Sequence, residues 1–160
     1  MDSRERVLAA LDRRPVDRIP TDYWGVPEIT DALLAHFGVD STLDLWPRLG
    51  VDKIISVAPT YVGPPLVDEA SRQVDYWGVE RTRQAEFEGR IAFHGGVDNQ
   101  RVLPFGTPQE VEAEVVQLLT TLASDGTGYI LAPCHNVQAI TPVENVIRMY
   151  DAARLYGRVG

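Results

Sequence analysis

Residues 91–157 read IAFHGGVDNQRVLPFGTPQEVEAEVVQLLTTLASDGTGYILAPCHNVQAITPVENVIRMYDAARLYG, and the fold turns on them. Ile91-Ala92-Phe93-His94 has the character of a strand running into Gly95-Gly96-Val97-Asp98. After a loop, Thr107-Pro108-Gln109-Glu110 opens a helix with a hydroxyl cap, a proline in the first turn and a glutamate placed to reach back. Val111, Val115, Leu118 and Leu122 follow at helical spacing, and Gly126 and Gly128 close the unit. The scheme then repeats. Tyr129–Ala132 is a strand, residues 133–138 are its loop, and Thr141-Pro142-Val143-Glu144 opens a helix striped by Val143, Val146, Ile147 and Tyr150 and stopped by Gly157. Thr-Pro-x-Glu thus recurs after 34 residues, but the strand inside each unit argues against an all-helical repeat. Two β-loop-α units in series require parallel strands joined by helical crossovers.

Outward from this core, the N-terminal residues supply compatible pieces. Asp2 and Glu5 form a capping box for a helix over 2–13, with Val7, Leu8 and Leu11 on one face. Residues 17–24 are extended and bounded by prolines. Pro27 starts a second helix carrying Ile29, Leu33, Leu34 and Phe37, and Gly38 stops it. A third helix runs from Ser41 to Leu49, where Pro47 predicts a bend or an early end. Val51–Val57 is the next strand, residues 58–89 are irregular, and Val74–Val79 forms a small surface strand. The fold class is therefore α/β with about four βα units, either half of a (β/α)8 barrel or a small open sheet.

Composition bounds the function. The 160 residues are 44% hydrophobic and 24% charged, a soluble globular balance with enough chain for one core. Fifteen Lys and Arg against 23 Asp and Glu give a net charge of −8, which disfavours nucleic acid and anionic membrane surfaces as partners. No apolar run approaches the roughly 20 residues of a membrane span, and the N-terminus lacks a signal peptide's apolar region. A single cysteine, Cys134, predicts a cytoplasmic protein. Walker, Gly-x-Gly-x-x-Gly and Gly-x-Ser-x-Gly motifs are absent, so neither a nucleotide enzyme nor a serine hydrolase is expected.

In a parallel α/β fold, chemistry collects at the C-terminal ends of the strands. The loops there begin at Tyr23-Trp24-Gly25, Ala58-Pro59-Thr60-Tyr61, His94–Asp98 and Cys134-His135-Asn136. His94 either serves the site or bonds a loop backbone, Cys134 is a ligand or a small buried apolar group, and Asp98 acts or caps a turn. A zinc site from His94, Cys134 and Asp98 is chemically allowed, although the spacing matches no established zinc pattern.

Two pairs of stretches carry a resemblance. SRERVLAALDRRPVDRIPTDYWG with LGVDKII, and FHGGVDNQRVLPFGTPQEV with GYILAPCHNVQAITPVENVIRMYDAARLYG, resemble the uroporphyrinogen decarboxylase superfamily, which includes methylcobamide-type methyltransferases. The resemblance implies a (β/α)8 barrel, which takes roughly 250 residues. Here residues 1–57 resemble the early barrel and residues 90–157 the late barrel, with 58–89 as the junction. The expectation is a single domain built as a half-barrel. Its strands would stand in the order third, fourth, first, second, with two open edges that a second copy would cover as a homodimer.

The resemblance implies a tetrapyrrole or methylated small molecule as substrate, handled by decarboxylation or by corrinoid-linked methyl transfer. His135 matches the family's late histidine, and Asp98 is its expected catalytic partner. Tyr23, Trp24, His94 and Asn136 are the expected substrate-binding residues. Cys134 lies near the late cysteine that ligates zinc in the methyltransferase branch. Zinc and a corrinoid methyl donor are the implied cofactors. The arginine loop of the decarboxylases is replaced by Asp22-Tyr23-Trp24-Gly25-Val26, their second-strand aspartate is absent from Ser56-Val57-Ala58-Pro59, and no His-x-Cys occurs. A non-catalytic binding half-barrel that dimerises is the alternative.

Overall fold

The computed structural model describes residues 1–52 and 91–159. The chain divides into one compact unit, Met1–Ile54 with Ile91–Gly160, and a second, Ile55–Arg90. The expected strand beyond Asp52, the loop at Ala58–Tyr61, the strand at Val74–Val79 and the site contributions of that region lie outside the described residues.

Helix α1 (Ser3–Leu11) begins with the capping box read from Asp2 and Glu5, in which each side chain holds the other's backbone N–H. Its buried face differs from the expected one. Leu8 and Leu11 are 40% and 53% exposed, while Ala9, Ala10 and Arg6 face inward. Small side chains let the helix approach closely, and Arg6 goes inward because two carboxylates meet it there. Helix α2 (Pro27–Phe37) buries Ile29 and Leu33 and ends at Gly38. Helix α3 (Thr42–Leu49), capped by Ser41, continues through Pro47 to Leu49 before Gly50 closes it. Pro47 lies in the last turn, so it forgoes one intrahelical bond and few residues follow for it to disturb.

The late units form β1 (Phe93–His94), the short helix α4 (Val102–Phe105), α5 (Pro108–Leu122), β2 (Tyr129–Ile130) and α6 (Val143–Tyr156). α4 forms where the sequence predicts a loop. Thr107 and Glu110 make the second capping box on α5. The matching Thr141-Pro142 pair does not cap α6: Pro142 takes the cap position without a side-chain bond. Thr141 is buried instead, and Asn145 donates to the carbonyls of Leu103 and Gly106. α6 packs most extensively on α5.

β1 and β2 pair in parallel, Phe93 with Tyr129 and His94 with Ile130, as consecutive βα units require. Where about four strands were expected, two are present among the described residues, each two residues long. Single parallel bridges extend the pattern, with Val97 opposite Pro133 and Thr21 opposite Leu131. The segment around Thr21 thus lies on the far side of β2 from β1. Asp52 continues outward from it by donating its N–H to Thr21 O at 2.8 Å. Pro20 and Pro133 lack the N–H that a longer ladder needs, which keeps this pairing to short pieces. The core collects between these strands and the helices, with Leu33, Leu45, Val97, Val115, Leu131, Val146 and Met149 fully enclosed.

Candidate functional site

The N-terminal end of the parallel segments is filled by a charge network. Arg6 holds Asp17 through Nε at 2.7 Å and Nη2 at 2.9 Å, and reaches Asp52 Oδ1 with Nη1 at 2.5 Å. Arg18 takes Asp52 from the other side with both terminal nitrogens, at 2.6 and 3.0 Å. Asp52 is completely buried. A hydrogen bond from Arg6 leads the effects that hold the Asp17 carboxyl well below the usual carboxylate range. Charges that saturate one another in this way leave little for a ligand.

The C-terminal end is different. Side chains alternate along the first segment, so Asp22 and Trp24 share a face and Tyr23 takes the other. Tyr23 points to the helix layer, its hydroxyl 2.8 Å from Thr30 Oγ1 and its ring 6.4 Å from that of Tyr150. Burial pushes the Tyr23 phenol up. Asp22 is fully buried, with Oδ1 accepting from Tyr23 N–H at 2.8 Å and Oδ2 from Trp24 Nε1 at 2.7 Å. The same Oδ2 lies 3.4 Å from Nε2 of His94, and the Trp24 and His94 rings are 5.4 Å apart. His94 is about one-third exposed. Trp24 also lines a cleft of about 310 Å³ with Tyr23, Gly25, Thr42, Trp46 and Asn136. A Cβ at Gly25 would lie 2.2 Å from the Tyr23 hydroxyl, so a side chain here would displace the Tyr23 ring.

Past His94 the chain turns through Gly95 and Gly96 at φ of 92° and 115°, a region that side chains disfavour. That turn returns Val97 to register with Pro133. Asp98 then serves its own turn. It accepts from the backbone of Gln100 at 2.8 Å and of Arg101 at 3.1 Å, bonds led by that of Gln100 that keep its carboxyl low. Its N–H donates to Glu114, a carboxyl that burial pushes up.

Three residues separate Thr21 from Gly25, whereas five separate Leu131 from Val137, the residues bridged to them. The surplus bulges out and exposes Cys134, His135 and Asn136. Cys134 Sγ donates to Asn99 Oδ1 at 2.8 Å, and Asn99 Nδ2 donates to Asn136 O at 3.1 Å. Asn99, which the sequence reading passed over, therefore ties the two late loops together. The structure brings His94 and Trp24 together around Asp22, another residue the sequence reading did not single out. His135 is exposed on the bulge.

The sequence model of the family described as uroporphyrinogen decarboxylase (URO-D) matches residues 35–156. The chain belongs to the uroporphyrinogen decarboxylase family. Comparison with curated proteins and with solved structures returned no match. For this family member, zinc bound by His94, Cys134 and Asp98 does not fit the described residues. No three His, Cys, Asp or Glu side chains among them converge on one point, and Cys134 and Asp98 are engaged as above. Among the described residues no helix is long and apolar enough to cross a membrane.

Proposed function

We propose that this family member decarboxylates a carboxylated, tetrapyrrole-class small molecule at the C-terminal end of its parallel segments, in the cytoplasm. The observation that carries the reading is the convergence of Asp22, Trp24 and His94 there, beside a cleft that Trp24 lines. Decarboxylation breaks the bond between the carboxylate and its carbon, CO₂ leaves, and a proton replaces it on that carbon. His94 is the described group best placed to deliver the proton, ahead of His135 and Asp98, because a buried carboxylate and an indole hold its ring. His135 and Asn136, exposed on the bulge, are proposed substrate contacts. Arg101 is the only cation in 22–26, 94–101 and 132–141, and its side chain is 87% exposed. It is the proposed partner of a substrate carboxylate. Methyl transfer through zinc and a corrinoid would need ligands beyond the described residues.

The test is incubation with uroporphyrinogen and chromatographic separation of the products by carboxylate number. Products with seven or fewer carboxylates are expected, and unchanged substrate would overturn the reading. A second reading, a binding half-barrel that dimerises without catalysis, is favoured by the exposure of Phe105 (70%) and Ile140 (64%). It predicts a discrete dimer by light scattering together with tetrapyrrole binding but no turnover.

A further inference from the structure

We infer that Asp22 and Trp24 are positioning residues that fix the His94 ring with Nε2 turned inward and Nδ1 as the nitrogen available to a ligand. Two contacts of different kinds act on one ring. The buried Asp22 carboxylate faces the Nε2 edge at 3.4 Å, and the Trp24 indole packs against the ring at a 41° tilt with centroids 5.4 Å apart. Trp24 is itself tied to the same carboxylate oxygen by Nε1 at 2.7 Å, so the three side chains form a closed triangle.

Asp22 is in turn fixed by the backbone. Its N–H donates to Leu131 O at 3.0 Å, and its carbonyl accepts from the Tyr150 hydroxyl at 2.8 Å. The carboxylate is thus anchored to β2's extension and to α6 independently of any ligand. An anion facing Nε2 favours a proton there, which in the neutral ring leaves the lone pair on Nδ1; when the ring takes up a second proton it is Nδ1–H that faces a ligand and can deliver it. A 3.4 Å separation is long for a hydrogen bond, and contacts of this type tighten when a ligand closes the site.

This deepens the proposed function and rests on it for the role of His94 in turnover, but the placement of the ring is testable without any substrate. The Cys134→Ser protein, which retains all three histidines as alkylation targets, is carboxymethylated with bromoacetate. Peptides carrying His94, His36 and His135 are then isolated, and the Nδ1 and Nε2 products of each are separated. The His94 peptide should favour the Nδ1 product over Nε2 by about tenfold relative to the exposed His135, the scale of one charge-assisted contact. Asp22→Asn should bring the His94 ratio toward that of His135. Trp24→Leu, which removes the packed ring and leaves the carboxylate, should lower it as well and serves if Asp22→Asn fails to fold. An Nε2 product in excess, or a ratio equal to that of His135 in the parent protein, overturns the inference. Loss of decarboxylation with the Nδ1 preference intact would instead sink the proposed function alone.

Discussion

The two ends of the parallel segments both bury an aspartate, and they use it in opposite ways. At the N-terminal end Asp52 is gripped by two guanidinium groups, and Arg6 passes the charge on to Asp17. Cation and anion are matched, and the result is a clamp joining α1, the first segment and the residues after α3. At the C-terminal end Asp22 accepts from an indole N–H and a backbone N–H and also faces a partly exposed imidazole. The imidazole beside this carboxylate is about one-third exposed, so this cluster opens to solvent where the other is closed. Under the proposed function, the difference separates charge that holds the fold from charge that serves a ligand site.

The sharpest way to break this contrast is to remove one anion from each end. Asp52→Ala leaves Arg6 and Arg18 facing one another without their shared partner, and a loss of about 3–5 kcal/mol is expected in urea or thermal unfolding. Asp22→Asn keeps the shape but puts an amide N–H₂ against an N–H donor at one of its two positions. The expected loss is smaller, about 1–3 kcal/mol by the same unfolding measurements. If Asp22→Asn proves the more damaging, the division of roles is mistaken.

The pH dependence should also have opposite signs at the two ends. Asp17 has a depressed carboxyl, so its contribution is present above the unfolded value, about pH 3.9, and is lost as pH falls through the lower folded value. Asp17→Asn should flatten the acid side of the melting curve. Glu114, beside the Asp98 turn, has a raised carboxyl; its favourable contribution is complete below the unfolded value and is lost as pH rises through the folded one. Glu114→Gln should therefore raise the melting temperature at pH 7 relative to the parent and leave it little changed below pH 4. The smallest effect is expected away from both ends, where Leu11→Ser on the exposed side of α1 should stay within about 0.5 kcal/mol.

The sequence was most informative where partners lie within a turn of each other. Asp2 with Glu5 and Thr107 with Glu110 were legible because a capping box needs three-residue spacing and little else. The same logic failed at Thr141, since tertiary packing buried the hydroxyl before it could cap α6. The parallel pairing of β1 with β2 followed from the order of elements, but the length of the strands did not, because prolines decide where a ladder stops. Arg6 and Asp52 stand 46 positions apart, and nothing local links them. Asp22 was within reach. Its place two residues before Trp24 in an extended segment puts both on one face. Cys134 and Asp98 attracted notice by residue type, yet their bonds to Asn99 and to the Gln100 backbone depend on loop paths that composition does not encode.

The bridge between Thr21 and Leu131 has a consequence for the order of events on the ribosome. One neighbour of the first segment is synthesised 110 residues after it, a wait of roughly 5–20 seconds at the usual elongation rates of about 5–20 residues per second. For that interval the backbone N–H of Asp22 lacks its native acceptor. Slowing translation would lengthen this exposed interval, and a chaperone that recognises extended apolar segments would find its target at the front of the nascent chain.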